Sequence, residues 1–219
     1  MFELTLLQKI AVSILPILFA ITVHEVAHGW VAKHFGDSTA QRLGRLTLNP
    51  LKHIDPMGTV LIPGLMLLMT QGRFAFGWAR PVPVTWENLR HPKRDMAIVA
   101  AAGPAANLLM ALFWAFIAKA GIMLSVFPWT SVPMQLMGIE GIKINVLFMM
   151  LNLFPIPPLD GGRVAVGLLP GPWAWRLARL EPYGFFIILF LLVTDVLWWI
   201  LGPAIDIVTR LIVHIAGLG

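Results

Sequence analysis

Apolar residues form long runs separated by polar segments that are rich in glycine and proline. Residues 6–34 and 96–118 are each long enough to cross a bilayer as a helix. Residues 142–154 and 183–201 are also predicted to be membrane helices, and the first of these ends at a proline-rich break. The pattern predicts an all-α polytopic membrane protein with about five to six transmembrane or re-entrant helices.

Three further segments have weaker patterns. Residues 59–70 are apolar but shorter than the roughly 17 residues that span a bilayer, so we expect a re-entrant segment or a helix that extends at either end. Residues 121–138 carry no charge and are predicted to connect two helices. In residues 205–215, Asp206, Arg210 and His214 recur at spacings of four, which is typical of an amphipathic helix at the membrane interface.

Partial alternation of apolar and polar residues predicts strands in two of the polar connectors. Residues 43–48 alternate in part, and residues 73–78 alternate more clearly. We therefore expect a small membrane-associated β element between the first two long helices.

Composition agrees with a membrane protein and excludes several other classes. Hydrophobic residues make up 58% of the chain and charged residues 12%, with a mean hydropathy of +0.80, whereas a soluble domain has about 25% charged residues. The net charge of +5 is explained by basic membrane loops, so nucleic-acid binding is not expected. The chain has no cysteine, which excludes disulfides, thiolate metal sites and cysteine nucleophiles.

The distribution of basic residues predicts how the chain lies in the membrane. Lysine and arginine cluster after the first helix, before the second long helix and after the proline-rich break, and are absent from residues 121–138. The positive-inside rule places these three clusters in the cytoplasm and the uncharged connector outside. The end of the first helix and the residues after the proline-rich break then reach similar depths near the cytoplasmic face.

The most specific chemical signal lies in the first predicted helix. His24-Glu25-Val26-Ala27-His28 is set in an apolar run, residues 10–32, that has no other formal charge. At about 100° per residue, the two imidazoles lie about 40° apart and Glu25 falls on the same side. Two imidazoles one turn apart beside a carboxylate supply two ligands of a zinc site and a general base. Ionisable groups at membrane depth are costly and usually functional.

Asp160 is a candidate for the third metal ligand. A catalytic zinc site needs three protein ligands and an open position for water. Asp160 follows Pro155, Pro157 and Pro158, which force the backbone out of a helix, and it precedes two glycines that allow close backbone approach. The segment taken alone is equally well explained as a Pro-Gly turn that ends a membrane helix, with Asp160 as a solvated cap.

Taken together, these segments resemble the site-2 protease family of intramembrane zinc metalloproteases. The HExxH pattern in an apolar helix is followed, over a hundred residues later, by NxFPxxPxDGG from Asn152 to Gly162. Residues 103–107 read GPAAN and resemble the GPxxN element of the family, while residues 44–50 and 53–59 resemble the connector of its compact prokaryotic members. The resemblance covers roughly residues 10–163.

The resemblance implies a zinc metalloendopeptidase that acts in regulated intramembrane proteolysis. His24, His28 and Asp160 would bind one zinc ion per chain, and Glu25 would be the general base for zinc-activated water. Asn152 is our candidate donor to the oxyanion, with a buried amide between helices as its alternative. No separate cofactor-binding residues are expected. Asn107 is expected mainly to pack helices, and His53 to make a loop-stabilising hydrogen bond. Asp195 is either paired with Arg176 or Arg179, or lies near the outer interface.

The implied partners are the lipid bilayer and a membrane-protein substrate with a transmembrane segment. A strand edge in the β element would hold the substrate extended. The implied location is the prokaryotic plasma membrane, with the active site near the cytoplasmic side. Substrate identity, cleavage site, gating and oligomeric state stay open. Two other hypotheses for the function are a membrane metal carrier and an inactive homologue. A carrier has no need of Glu25, and an inactive homologue has no need of an intact ligand set.

The chain is predicted to be a single intramembrane metalloprotease domain over residues 1–219. The catalytic core would span about residues 6–165 and the C-terminal helices residues 183–217. A PDZ or CBS domain, which other branches of the family carry, does not fit within this length.

Overall fold

The computed structural model describes residues 5–69 and 77–218, and the regular secondary structure of these residues is helical. The α-helices are α1 (Leu6–His34), α2 (Thr39–Arg42), α3 (Ile62–Met69), α4 (Pro92–Met123), α5 (Pro128–Asn152), α6 (Asp160–Leu168), α7 (Gly171–Ala178), α8 (Glu181–Val193) and α9 (Val196–Ile215). A π-helical stretch, Pro56–Leu61, leads into α3, and short 3-10 turns lie at Pro50–Lys52 and Trp86–Asn88.

Four of these helices, α1, α4, α5 and α9, are long and apolar enough to cross a membrane. Two further apolar segments, Pro56–Met69 and α8, are shorter. The protein is therefore an all-helical membrane protein in the part of the chain that the structure describes, as the hydropathy pattern predicts.

Local chemistry sets where the long helices begin. Thr5 and Gln8 form a capping box at the start of α1: the Gln8 N–H donates to Thr5 Oγ1 at 3.3 Å, and the Thr5 N–H donates to Gln8 Oε1 at 2.9 Å. Helix α4 begins with Pro92 at its first position, and buried Asp95 accepts a hydrogen bond from the His91 N–H at 2.7 Å. Helix α1 therefore starts at a side-chain cap, and α4 starts at a proline.

Helix α4 is the centre of the packing, in contact with α1, α5, α6 and α9. Its buried positions are dominated by alanine and glycine, which let neighbouring helices approach closely. On the facing side of α5, a Cβ at Gly138 would overlap Ala118, and one at Gly141 would overlap the Trp114 ring. These small residues let α5 lie close against α4, which also contacts α1, so that polar groups on the three helices come within reach of one another.

The predicted β element is not supported. Residues 43–48 lie in a turn and irregular backbone instead of a strand. Of the second predicted strand, residues 73–76 fall outside the described residues, while Gly77 and Trp78 are not in a strand. Partial alternation over six residues was too weak a signal, because Gly44 adopts a positive φ of 62° and turns the chain away from extended backbone.

The predicted boundaries of the later helices also need correction. Residues 121–138 are mostly helical, since α5 begins at Pro128. The single span expected over residues 183–201 is two helices, α8 and α9, separated by Asp195 with φ of 58°. Residues 205–215 are the second half of α9 and not a separate interfacial helix. Asp195 is thus an exposed residue of the turn between two helices, where aspartate tolerates the left-handed conformation.

Buried Asp37 ties the connector before α4 to the end of α1. Its carboxylate accepts hydrogen bonds from the Thr85 N–H at 2.7 Å, the Asn88 amide at 3.1 Å and the Thr39 N–H at 3.0 Å. Burial alone would raise the pKa of Asp37, but these hydrogen bonds, with that from the Thr39 hydroxyl, outweigh it and hold the pKa below its ordinary value. The cluster anchors Thr85 and Asn88, which lie just before α4, to the end of α1.

Candidate metal site

Three side chains from distant parts of the sequence converge next to α4. His24 and His28 lie one turn apart on α1, and Asp160 is the first residue of α6. Asp160 Oδ2 is 3.2 Å from Nε2 of each histidine, and the two Nε2 atoms are 3.0 Å apart. The side chains are largely buried, with exposed fractions of 10% for His24 and Asp160 and 12% for His28. The structure thus brings together the three predicted ligands.

The other ring nitrogen of each histidine fixes its tautomer. His28 Nδ1 is 2.7 Å from the main-chain oxygen of Val99, which can only accept, so Nδ1 bears the proton. His24 Nδ1 is 2.6 Å from Asn107 Oδ1 and donates in the same way. In the neutral imidazoles both Nε2 atoms are then unprotonated and point at Asp160. This is the arrangement in which a histidine is prepared to bind a metal.

The converging atoms are all electron-pair donors. Two unprotonated Nε2 atoms and one carboxylate oxygen lie close together, and Asp160 Oδ2 is buried with no hydrogen-bond donor to satisfy it. Three lone pairs facing one another without a proton repel, and a cation between them removes the repulsion. The separations between these three atoms are close to those of ligands bound to a tetrahedral zinc ion. Ligand atoms about 2.0–2.1 Å from such an ion lie about 3.3 Å from one another. The residues present fit zinc.

Glycines keep the space around the three ligands open. A Cβ at Gly103 on α4 would overlap the imidazoles of both His24 and His28. At the other side of the site, a Cβ at Gly161 would strike the main chain of Leu153 and Phe154, and one at Gly162 would strike that of Pro157. Without side chains, Gly161 and Gly162 let the start of α6 lie against the proline-rich segment, which places Asp160 opposite the histidines.

Glu25 is held by a segment that crosses the site, residues 79–84, here called the strap. The Val82 N–H in the middle of the strap donates to Glu25 Oε2 at 2.7 Å. The Arg80 N–H donates to the His53 carbonyl oxygen at 2.9 Å, and the Arg45 guanidinium donates to the Arg80 carbonyl oxygen at 2.9 Å. Val82 is buried against Gly29, where a Cβ would overlap its side chain. Glu25 is half-buried beside the metal ligands, and one of its oxygens is fixed.

The remaining predicted residues have different surroundings. The Asn152 amide donates to the Phe148 carbonyl oxygen of its own helix at 3.0 Å, and its role toward an oxyanion stays a prediction. His53 is buried and donates from Nε2 to the Thr47 carbonyl oxygen at 2.9 Å, the loop-stabilising bond that was expected.

Asn107 is the residue whose position the sequence did not reveal. It was expected to pack helices, but it contacts the His24 ring directly. The available signal was its spacing: Asn107 follows Gly103 by four residues, so both lie on one face of α4. A glycine and an amide on the same face indicate a surface that meets something polar and bulky. Nothing in the local sequence identifies His24 as that group, because the contact joins residues 83 positions apart.

Comparison with known proteins identifies relatives that are all named as zinc metalloproteases. The chain is 35% identical over 207 residues to "Putative zinc metalloprotease YwhC" of Bacillus subtilis, covering 90% of this chain and 89% of that protein. It is 34% identical over 199 residues to "Putative zinc metalloprotease Rip2" of Mycolicibacterium smegmatis, covering 87% and 71% respectively. Rip2 of Mycobacterium tuberculosis is 28% identical over 148 residues, covering 66% and 52%. No protein-family model and no solved structure matches the chain.

Proposed function

The chain belongs to the site-2 protease family of zinc metalloproteases, and we propose that it hydrolyses peptide bonds within or near transmembrane segments of membrane proteins. The observation that supports this most is the convergence of one ligand atom each from His24, His28 and Asp160, beside the carboxylate of Glu25, which the Val82 N–H holds. A metal carrier would need the ligands but not Glu25 and the strap that fixes it.

In this proposal His24 and His28 on α1 and Asp160 on α6 hold one zinc ion. Bound zinc supplies Lewis acidity, lowering the pKa of a coordinated water to about 7 and polarising the carbonyl of the scissile bond. The ligands are fixed by elements that pack on α4, which keeps the site in place without any disulfide.

Glu25 is the proposed general base. It takes a proton from the attacking water as the new C–O bond forms, and it returns that proton to the amine nitrogen as the C–N bond breaks. The hydrogen bond from the Val82 N–H occupies Oε2, which leaves Oε1 for proton transfer. Asn152, at the end of α5, is the proposed side-chain donor to the oxyanion, a role that requires its amide to leave the Phe148 carbonyl oxygen.

The proposed substrate is a membrane protein with a transmembrane segment. Both histidines lie within a helix that is long and apolar enough to span the bilayer, so a peptide bond must come to membrane depth to reach them. The basic residues of the connectors support an orientation with the site near the cytoplasmic face of a prokaryotic plasma membrane. The bilayer is thus the proposed surrounding phase, and no nucleic-acid partner is expected.

The proposal is tested by comparing membranes from cells that make the native chain with membranes from cells that make Glu25→Gln. Quantitative proteomics of single-span proteins and remnant peptides is the readout, and zinc content of the purified variants is measured in parallel. Exposed Glu87, which lies in the connector before α4, gives the control Glu87→Gln. We expect a discrete set of uncut proteins in the Glu25→Gln membranes alone, with zinc retained. If no protein accumulates, the proteolytic function is wrong.

A further inference from the structure

A chain of buried amides links α5 to the proposed metal ligand His24. The Asn145 amide on α5 donates to the Gly141 carbonyl oxygen at 2.8 Å. The Asn107 amide on α4 donates to Asn145 Oδ1 at 3.1 Å and to the Ala20 carbonyl oxygen of α1 at 3.2 Å. Asn107 Oδ1 in turn accepts from His24 Nδ1. Asn107 and Asn145 both have an exposed fraction of 0%.

Main-chain acceptors fix the direction of each hydrogen bond that links Asn145, Asn107 and His24. The Gly141 carbonyl oxygen can only accept, so the Asn145 NH2 group faces it and Oδ1 faces Asn107. The Ala20 carbonyl oxygen likewise requires the Asn107 NH2 group, which leaves Oδ1 for His24. A flipped Asn107 would place two donors, its NH2 group and the Nδ1–H, against each other. The two linked amides therefore hold neutral His24 in the tautomer that presents an unprotonated Nε2.

The two histidines differ in how they are oriented. His28 donates to the Val99 carbonyl oxygen, a rigid main-chain acceptor on α4. His24 has a side-chain acceptor instead, and a side chain can rotate about two bonds. Asn107 keeps its orientation only while its NH2 group has partners, and Asn145 supplies the one side-chain partner of the two.

Burying two amides in a helical membrane core costs free energy unless each amide finds hydrogen-bond partners. Apolar residues of similar size would pack there without needing partners, so the presence of two asparagines indicates a function. The hydrogen bonds of Asn145 join it to Asn107 and Gly141 and not to His24, His28 or Asp160. We propose that Asn145 is a positioning residue that orients the His24 imidazole through Asn107 and so strengthens metal binding. The inference rests on the proposed metal site.

The test measures zinc affinity in the full chain, purified in lipid nanodiscs, by competition with a chelator. Loss of a partner that orients a metal-binding histidine costs about 10- to 100-fold in metal affinity. We expect Asn107→Leu to weaken zinc binding by about this factor and Asn145→Leu to weaken it by about tenfold. In the Asn107→Leu background, Asn145→Leu should weaken it no further. The d–d absorption of Co2+-loaded protein should change in both single variants.

Two further variants separate orientation from helix packing. Asn145→Asp keeps an oxygen that accepts from Asn107 and should retain most of the zinc affinity. Ser131→Ala removes another buried polar group of α5, near its opposite end, and should leave the affinity unchanged. Thermal unfolding of each variant shows how much stability is lost.

The outcomes distinguish this inference from the proposed metal site. The inference is wrong if the native chain binds zinc but Asn145→Leu alters its zinc affinity by less than about twofold. It is also wrong if Asn145→Leu alters the affinity by the same factor in the native and Asn107→Leu backgrounds, because Asn145 then does not act through Asn107. If the native chain binds no zinc, the metal site is wrong and the inference falls with it.

Discussion

The main-chain N–H of Val82 donates a 2.7 Å hydrogen bond to Oε2 of Glu25, across 57 positions of sequence. The contact joins the proposed general base to the strap, which Arg45 and Asp37 anchor on either side. A carboxylate with one oxygen held by a hydrogen bond has less freedom to turn its other oxygen away from the proposed metal ligands. Orientation of this kind is what positions a base for proton transfer.

Removing the Val82 N–H should slow proteolysis without releasing metal. A hydrogen bond to a charged group contributes about 1.5–3 kcal/mol, so Val82→Pro should lower kcat/KM roughly 10- to 100-fold. Val82→Ala keeps the N–H and is the matched control for lost packing. The rates are measured on a substrate identified from the Glu25→Gln membranes. Equal rates for Val82→Pro and Val82→Ala would show that the N–H has no part in catalysis.

A methyl group at Gly103 should strongly weaken metal binding. A Cβ there would overlap both imidazoles, so Gly103→Ala should weaken zinc binding by more than about 100-fold, the upper end of what loss of one supporting contact costs. Gly202→Ala is the control, because among the described residues no atom outside its own stretch of α9 lies within 4 Å of a Cβ at that position. Alanine also favours a helix over glycine by about 1 kcal/mol. Zinc bound at native affinity by Gly103→Ala would mean that the three ligands do not form the site.

The Asp37 cluster should make stability depend on pH. The pKa of Asp37 is lower in the folded state than the value of about 3.9 for an unfolded chain. Its contribution to stability is therefore present above that unfolded value and is lost as the pH falls through the lower folded pKa. The melting temperature should be lower for Asp37→Asn than for the native chain at neutral pH, and the difference should shrink on acidification. A difference that is constant from neutral to strongly acidic pH contradicts this account.

Much of the fold was predictable wherever the signal is local. Helix α1 was predicted from one long apolar run in which the HExxH motif carries the only formal charge, and the structure places that helix at Leu6–His34 as predicted. The spanning part of α4 was predicted for the same reason, although Pro92 starts the helix four residues earlier. Membrane helices are recognised from composition because the bilayer requires a long apolar segment.

The start of α5 was missed because proline and glycine have a different meaning in a membrane helix. Pro133 and Gly138 indicate a connector in a soluble protein, yet both lie inside α5. Membrane helices tolerate them, since neighbouring helices satisfy the freed groups and small residues permit close packing. Gly138 is needed here because Ala118 of α4 occupies the space that its Cβ would fill.

The candidate site likewise has residues that the local sequence predicts and residues that it does not. His24, Glu25 and His28 follow from helical spacing, and Asp160 follows from the chemistry that two histidines leave incomplete. The contacts of Asn107 and Val82 depend on which faces of distant elements meet, and local patterns do not determine that. The strap was invisible for a further reason: it acts through a main-chain N–H, which any residue except proline supplies.

The central claim, that His24, His28 and Asp160 form a zinc site, is tested most directly by the metal content and zinc X-ray absorption spectrum of the purified chain. We predict one zinc ion per chain, about four-coordinate with nitrogen and oxygen ligands and the outer-shell scattering of two imidazoles. Asp160→Ala should lose zinc or change this spectrum, while Gly202→Ala should match the native chain. A native chain without zinc, or an Asp160→Ala spectrum identical to the native one at full occupancy, would contradict the claim.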